Sequence, residues 1–171
     1  MKKWYLLIIS GILLIILFIP LEKALTFTET RVEKARIYYL PLQKEQQFQL
    51  LFMHSIHKTD VIESYEVLPN NELRLLSMQY EDVAIGMPGY PEEGQTLVYD
   101  KGIYTLSYDD ATLPSFNLFI ANIDATLQLI YQSNYVDLKK QLEKGKSYVF
   151  EVKKLSLYDR MKGVRLYGER K

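Results

Sequence analysis

The chain has 171 residues, 48% of them hydrophobic and 25% charged, with 21 basic residues against 21 acidic ones. That length suits one ordinary domain, and a formal net charge of zero leaves no electrostatic footprint for nucleic acid. The absence of cysteine excludes disulfide frameworks, thiolate metal sites, cysteine nucleophiles and lipid attachment through a cysteine.

The first element is the run MKKWYLLIISGILLIILFIPLEK. Lys2 and Lys3 precede an uncharged stretch from Trp4 to Leu21. As a helix, those residues span about 27 Å, close to the roughly 30 Å hydrocarbon core of a bilayer. Trp4 and Tyr5 stand where an interfacial aromatic anchor belongs, and the lysines orient the rest of the chain outward. A cleaved signal peptide is the competing reading, but Ala24 at −1 would place Glu22 at −3, against the small residue that cleavage needs. Residues 1–23 are therefore expected to be a transmembrane anchor or signal segment. A single-pass protein of the cell membrane follows, with its C-terminal domain outside the cytoplasm.

Residues 24–35, ALTFTETRVEKA, read as a short polar linker or the start of a strand, and 36–171 as the extracytoplasmic domain. Short runs of β-type composition cover 36–42, 46–54, 61–68, 72–80, 95–100, 103–108, 116–122, 126–132 and 147–155. PNNE, MPGYPEEG, DKG, DDATLPS and EKGK mark turns between them. Fourteen tyrosines favour the same reading. The only helix expected here is 135–144, YVDLKKQLEK, with Gly145 as its C-cap. The predicted fold is all-β, a sandwich or barrel-like domain with one short helix in its C-terminal half and a transmembrane helix before it.

Charge is unevenly spread. Asp60 to Asp124 contains twelve acids and two bases, whereas Lys139 to Lys171 contains eleven bases and four acids. Either the two segments pair across the sheets, or the basic C-terminal part faces anionic lipid or wall polymer.

HSIHKTDVIESYEV, residues 54–67, holds both histidines of the chain. Ser55 opposite Asp60 would set Phe52 facing Glu63, with His54 and Glu63 as diagonal neighbours on one sheet face. Several readings stay open. The set His54, His57, Asp60 and Glu63 carries zinc-type ligands, but its spacing of three suits a helix and the flanking residues suit strands. Ser55 with a histidine and a carboxylate would need an oxyanion hole, and no nucleophile elbow is present. A structural hairpin with His54 satisfied by Glu63 is the third reading, and a His54–Glu63 pair that reads a ligand is the fourth. The turn AIGMPGYPEEG either joins two sheets or offers backbone amides to an anionic group.

FMHSIHKTDVIESYEV followed by YEDVAIGMPGY resembles the bacterial domain of unknown function 1850 family over about residues 35–125. The matching positions are His54, Ser55, Val61, Glu63, Tyr65, Gly86 and Pro88, and the glycine-rich turn has one glycine fewer than the family pattern. The resemblance implies a small exported protein that often accompanies a tripartite solute transporter, so a transporter subunit is the expected partner besides the membrane. The function expected is an accessory or binding module without catalytic activity, with His54, Ser55, Glu63, Tyr65, Gly86 and Pro88 as ligand-binding candidates. No metal or other cofactor is expected. The alternatives are a hydrolase or metal-dependent enzyme using His54 and Glu63, and an envelope structural protein.

Overall fold

The computed structural model describes residues 2–83 and 86–170. Helix α1 spans Lys2–Phe18 and stops there because Pro20 lacks an amide donor and disfavours the helical conformation of Ile19 before it. The helix has 17 residues, and among the described residues no helix is long and apolar enough to cross a membrane. The expected transmembrane helix is thus shorter than the apolar run that suggested it. Isoleucines 8, 9, 12, 15 and 16 are all exposed.

The segment read as a linker or the start of a strand opens inside a strand. Strand β1 covers Glu22–Glu29, with Ala24, Leu25 and Phe27 buried. Its threonines and glutamates hid an inward apolar series within a polar composition. It lies at the centre of a five-stranded sheet, between β2 (Ile37–Pro41) and β11 (Ser147–Leu155), with β8 (Ser115–Phe119) and β12 (Val164–Arg165) at the edges.

The second sheet has eight strands, in the order β13 (Glu169–Arg170), β10 (Asn134–Asp137), β9 (Leu127–Tyr131), β3 (Gln47–Met53), β4 (Asp60–Val67), β5 (Leu73–Tyr80), β7 (Ile103–Leu113) and β6 (Gln95–Asp100). The two sheets bury one core between them, with Leu25, Phe27 and Phe150 from the first against Phe48, Leu50 and Leu129 from the second. The all-β sandwich expectation therefore holds. Only the middle of the expected helix 135–144 is helical, and its C-cap is Leu142 rather than Gly145. Tyr135–Asp137 pair with β9, and α2 (Leu138–Gln141) begins where the Asp137 carboxylate accepts the amides of Lys139 and Lys140.

The sandwich has two distinct ends. At one, Glu22 pairs with Leu155, and the Lys23 ammonium reaches the Pro69 carbonyl in the β4–β5 turn. Helix α1 enters at this end. At the other lie the β3–β4 turn, the β6–β7 turn and the Phe119–Ser147 pairing.

Helix α3 (Leu157–Lys162), not anticipated from the sequence, packs on the outer face of the first sheet at the α1 end. It closes over Ala24, Tyr39 and Leu155, and the Tyr39 hydroxyl donates to the Arg160 carbonyl. A capping box starts it: Ser156 accepts the Asp159 amide at 3.1 Å, and the Asp159 carboxylate accepts the Ser156 amide at 2.9 Å. Ser156→Ala should therefore cost about 1 kcal/mol, read as a lower urea midpoint with an unchanged slope.

Candidate functional site

Strands β3 and β4 pair with Leu50 opposite Glu63, Phe52 opposite Val61 and Met53 opposite Asp60. This register lies two residues from the expected one. The parity survives, so Leu50, Phe52, Val61, Glu63 and Tyr65 all face the same side. The diagonal His54–Glu63 contact does not form, because β3 ends at Met53 and His54 already belongs to the turn. There the His54 amide donates to the Thr59 carbonyl, and its Nδ1 accepts the His57 amide at 3.4 Å. His57 Nδ1 lies 2.8 Å from the Asp82 carboxylate, and Ser55 is exposed on the turn. The hairpin tip thus disperses the set that suggested metal or hydrolytic chemistry. Among the described residues, no group of three or more histidines, aspartates or glutamates is placed to hold a metal ion.

Glu63 and Tyr65 are brought together. The Tyr65 hydroxyl donates to Glu63 Oε2 at 2.8 Å. The Tyr65 ring is stacked against Phe48 and Phe116, at centroid distances of 5.2 and 5.8 Å, which fixes the direction of the hydroxyl. A β-bulge lies beside them: the β4–β5 register shifts between Ser64 and Tyr65, and the β5–β7 register shifts across Leu75 and Ser77. Bulges of this kind re-aim side chains next to sites.

The pair lines a cavity of about 400 Å³ between the sheets, at the end remote from α1. Phe52, Phe116, Leu118, Phe119 and Ile123 supply apolar wall. Lys139 also borders the cavity, with its ammonium donating to the Ile123 carbonyl. A second cavity of about 530 Å³ adjoins it, sharing Ile123, Leu127 and Lys139 and adding Asp124, Asp137 and Lys144.

Glu29 and Glu63 are both drawn away from water, and their settings differ. Burial pushes the Glu29 carboxyl up, but the Arg36 amide at 3.0 Å and the Lys146 ammonium at 3.1 Å outweigh it and hold the group below the usual carboxylate range. Glu63 has no such cation. Burial raises its carboxyl above the usual range, and the Tyr65 hydrogen bond only partly opposes this. Burial also raises the Tyr65 and Tyr108 hydroxyls, with Glu63 adding to both. Glu29 is therefore a satisfied structural pair. Glu63 is an acceptor inside an apolar slot, and its one hydrogen bond among the described residues comes from Tyr65.

Gly86 and Pro88 lie elsewhere. Gly86 has a φ of +90°, a conformation that favours glycine, and the Pro88 carbonyl accepts the Tyr80 hydroxyl at 2.5 Å. Met87 between them packs on the cluster of Val61, Tyr80 and Leu106. The loop thus covers apolar surface beyond the edge of the first sheet, and Ala84 and Ile85 of the quoted turn lie outside the described residues. Phe116, Phe119, Ile123 and Lys139 were not singled out from the sequence. A period-two series in FNLF signals an inward face, but nothing in it names the strand opposite.

No curated protein and no solved structure matches this chain. A family model does match, over residues 48–138, from Phe48 in β3 to the start of α2, and this span includes Glu63, Tyr65, Phe116 and Ile123. That stretch is more than half of the chain, which belongs to the family described as Domain of unknown function (DUF1850).

Proposed function

We propose that this chain is a non-catalytic binding module, held at the outer face of a cell membrane by α1, that takes a small ligand into the inter-sheet cavity. One observation carries the ligand reading: Glu63 is a buried acceptor in a largely apolar slot, with no cation paired to it among the described residues and the Lys139 ammonium at the border engaged by the Ile123 carbonyl. A buried carboxyl whose one hydrogen bond comes from a neutral hydroxyl favours a ligand that brings a further hydrogen-bond donor or a positive charge. The ligand class is therefore an apolar body, aliphatic or aromatic, with an amine head directed at Glu63.

The tether reading rests on the exposed apolar surface of α1, which continues through Ile19 and Leu21, and on the lysines before it. Family resemblance adds a solute-transporter subunit as the proposed partner, testable by co-purification from membranes.

Titration with hexylamine, hexanol and hexanoate tests the ligand class by calorimetry. Hexylamine should bind best, and Glu63→Gln should weaken it about tenfold or more, the cost of a lost charged hydrogen bond. Tightest binding of hexanoate would transfer the recognition to Lys139 and overturn the amine reading.

A further inference from the structure

The acidic and basic segments of the chain do not pair with each other. Among the described residues, the acids of 60–124 that form ion pairs meet Arg74 and His57, while the bases of 139–171 meet Glu22, Glu29, Asp137, Glu143 and Glu151. Positive charge is left over at the α1 end. Lys23 and Lys154 are direct cross-strand partners on β1 and β11, a like-charge pairing that is unfavourable unless an anion lies nearby. Lys162 lies over the Tyr158 ring at 4.5 Å. The acids closest in sequence are already committed, Glu22 to Arg160 at 2.6 Å and Asp159 to the capping box of α3.

Apolar groups accompany these charges. Leu157 is 50% exposed and Met161 74% exposed on α3. Helix α3 touches α1 directly, with the Phe18 and Tyr158 rings 4.9 Å apart. The apolar surface of α1 and the mixed basic and apolar surface of α3 are therefore continuous. Lys23 and Lys154 stand on the core side of the first sheet and α3 on its outer side, so charge and apolar surface flank the α1 end from both sides; in the head-group layer of a membrane, apolar tips enter the acyl boundary while ammonium groups meet phosphate.

We infer that α3 and the Lys23–Lys154 pair form a docking face for an anionic bilayer surface, seating the sandwich on the membrane. This rests on the tether reading for its starting geometry, but it is a separate contact made by separate residues. The membrane is preferred over a soluble polyanion because exposed Leu157 and Met161 have no role in binding a hydrated polymer.

The composition of the chain makes the test direct. It has no cysteine and a single tryptophan, Trp4. Met161→Cys therefore accepts one environment-sensitive fluorophore, while Trp4 reports on α1. The labelled full chain is placed in nanodiscs of brominated phosphatidylcholine, with or without phosphatidylglycerol. Quenching at Trp4 tests the tether; quenching at position 161 tests the docking face. The label should be quenched and blue-shifted in the phosphatidylglycerol discs. Lys154→Gln or Lys162→Gln should each lower the docked-to-undocked ratio about fivefold, the share of one basic residue at an anionic surface. A quenched Trp4 with an unquenched label at 161 overturns the docking face and leaves the tether standing. An unquenched Trp4 with a quenched label removes the tether and keeps the face. A label that responds to soluble polyphosphate but not to anionic discs assigns the surface to a polymer and overturns the proposal.

Discussion

Glu63→Gln will melt at a higher temperature than the parent chain at neutral pH, and at nearly the same temperature in acid. Burial raises the folded-state carboxyl above its unfolded value. Below the unfolded value the group is neutral in both states and carries no charge penalty. As pH rises through the raised folded value, the carboxylate becomes charged in a setting that disfavours it, and stability is lost. Glutamine keeps the acceptor for the Tyr65 hydroxyl and removes the charge. The two melting curves should therefore separate as pH rises from the ordinary carboxylate range and stay apart above it. A tenfold displacement of the proton equilibrium corresponds to about 1.4 kcal/mol. A difference of ~1 kcal/mol moves the midpoint of a domain this size by about 2–4 °C. Calorimetric melts across a pH series check this, and a variant less stable than the parent at neutral pH would make Glu63 a structural group. A residue that lowers stability where it stands, while lining a cavity, is the expected signature of a binding site.

Phe150→Ala will cost far more, about 3–5 kcal/mol. Phe150 is fully buried on β11 and touches Phe27, Phe48 and Phe116, with ring centroids 4.7, 5.5 and 5.0 Å away. Removing the ring leaves a void at the junction of the two sheets, where no flexible neighbour stands ready to fill it. Against a total of about 5–15 kcal/mol for a typical domain, that is a large share of the stability. The urea midpoint should fall accordingly. Phe48 and Phe116 also hold the Tyr65 ring, so the folded variant should bind hexylamine more weakly as well. Phe119→Ala makes the contrast. Its side chain is 57% exposed at the cavity rim, so amine binding should change while the urea midpoint barely moves.

Most of the second sheet was legible in the sequence because its strands alternate and are separated by glycine, proline or asparagine. β3, β4, β5 and β6 fall within about a residue of their expected limits. β1 was left between linker and strand because Thr26, Thr28 and the flanking glutamates give an average composition typical of a linker. Only the burial of Leu25 and Phe27 against β11 reveals a central strand. α3 was missed because LYDRMK spans less than two turns and needs the Ser156–Asp159 box and a sheet to rest on.

The candidate site divides along the same line. Glu63 and Tyr65, two apart on one strand, necessarily share a face, and local sequence suffices to pair them. His54 was joined to Glu63 by an assumed turn length, and a turn that begins one residue earlier moves the histidine out of the slot. Phe116, Ile123 and Lys139 come from segments more than fifty residues away, and no local period encodes which strand they will face.

Only Ile19, Pro20 and Leu21 join α1 to β1, and the Leu21 amide donates to the Leu155 carbonyl at 3.2 Å, so even this joint is pinned to β11. A domain attached this way has little freedom to swing. The eight residues of β1 run away from α1 and give a standoff of about 26 Å. A chain seated in a bilayer through α1 would hold the mouth of its cavity at roughly that height, facing away from the lipid. Any partner that hands over or collects the ligand would have to present its own portal at the same elevation. Lengthening the three-residue joint would then disrupt transfer between the two proteins while leaving the affinity of each for the ligand unchanged.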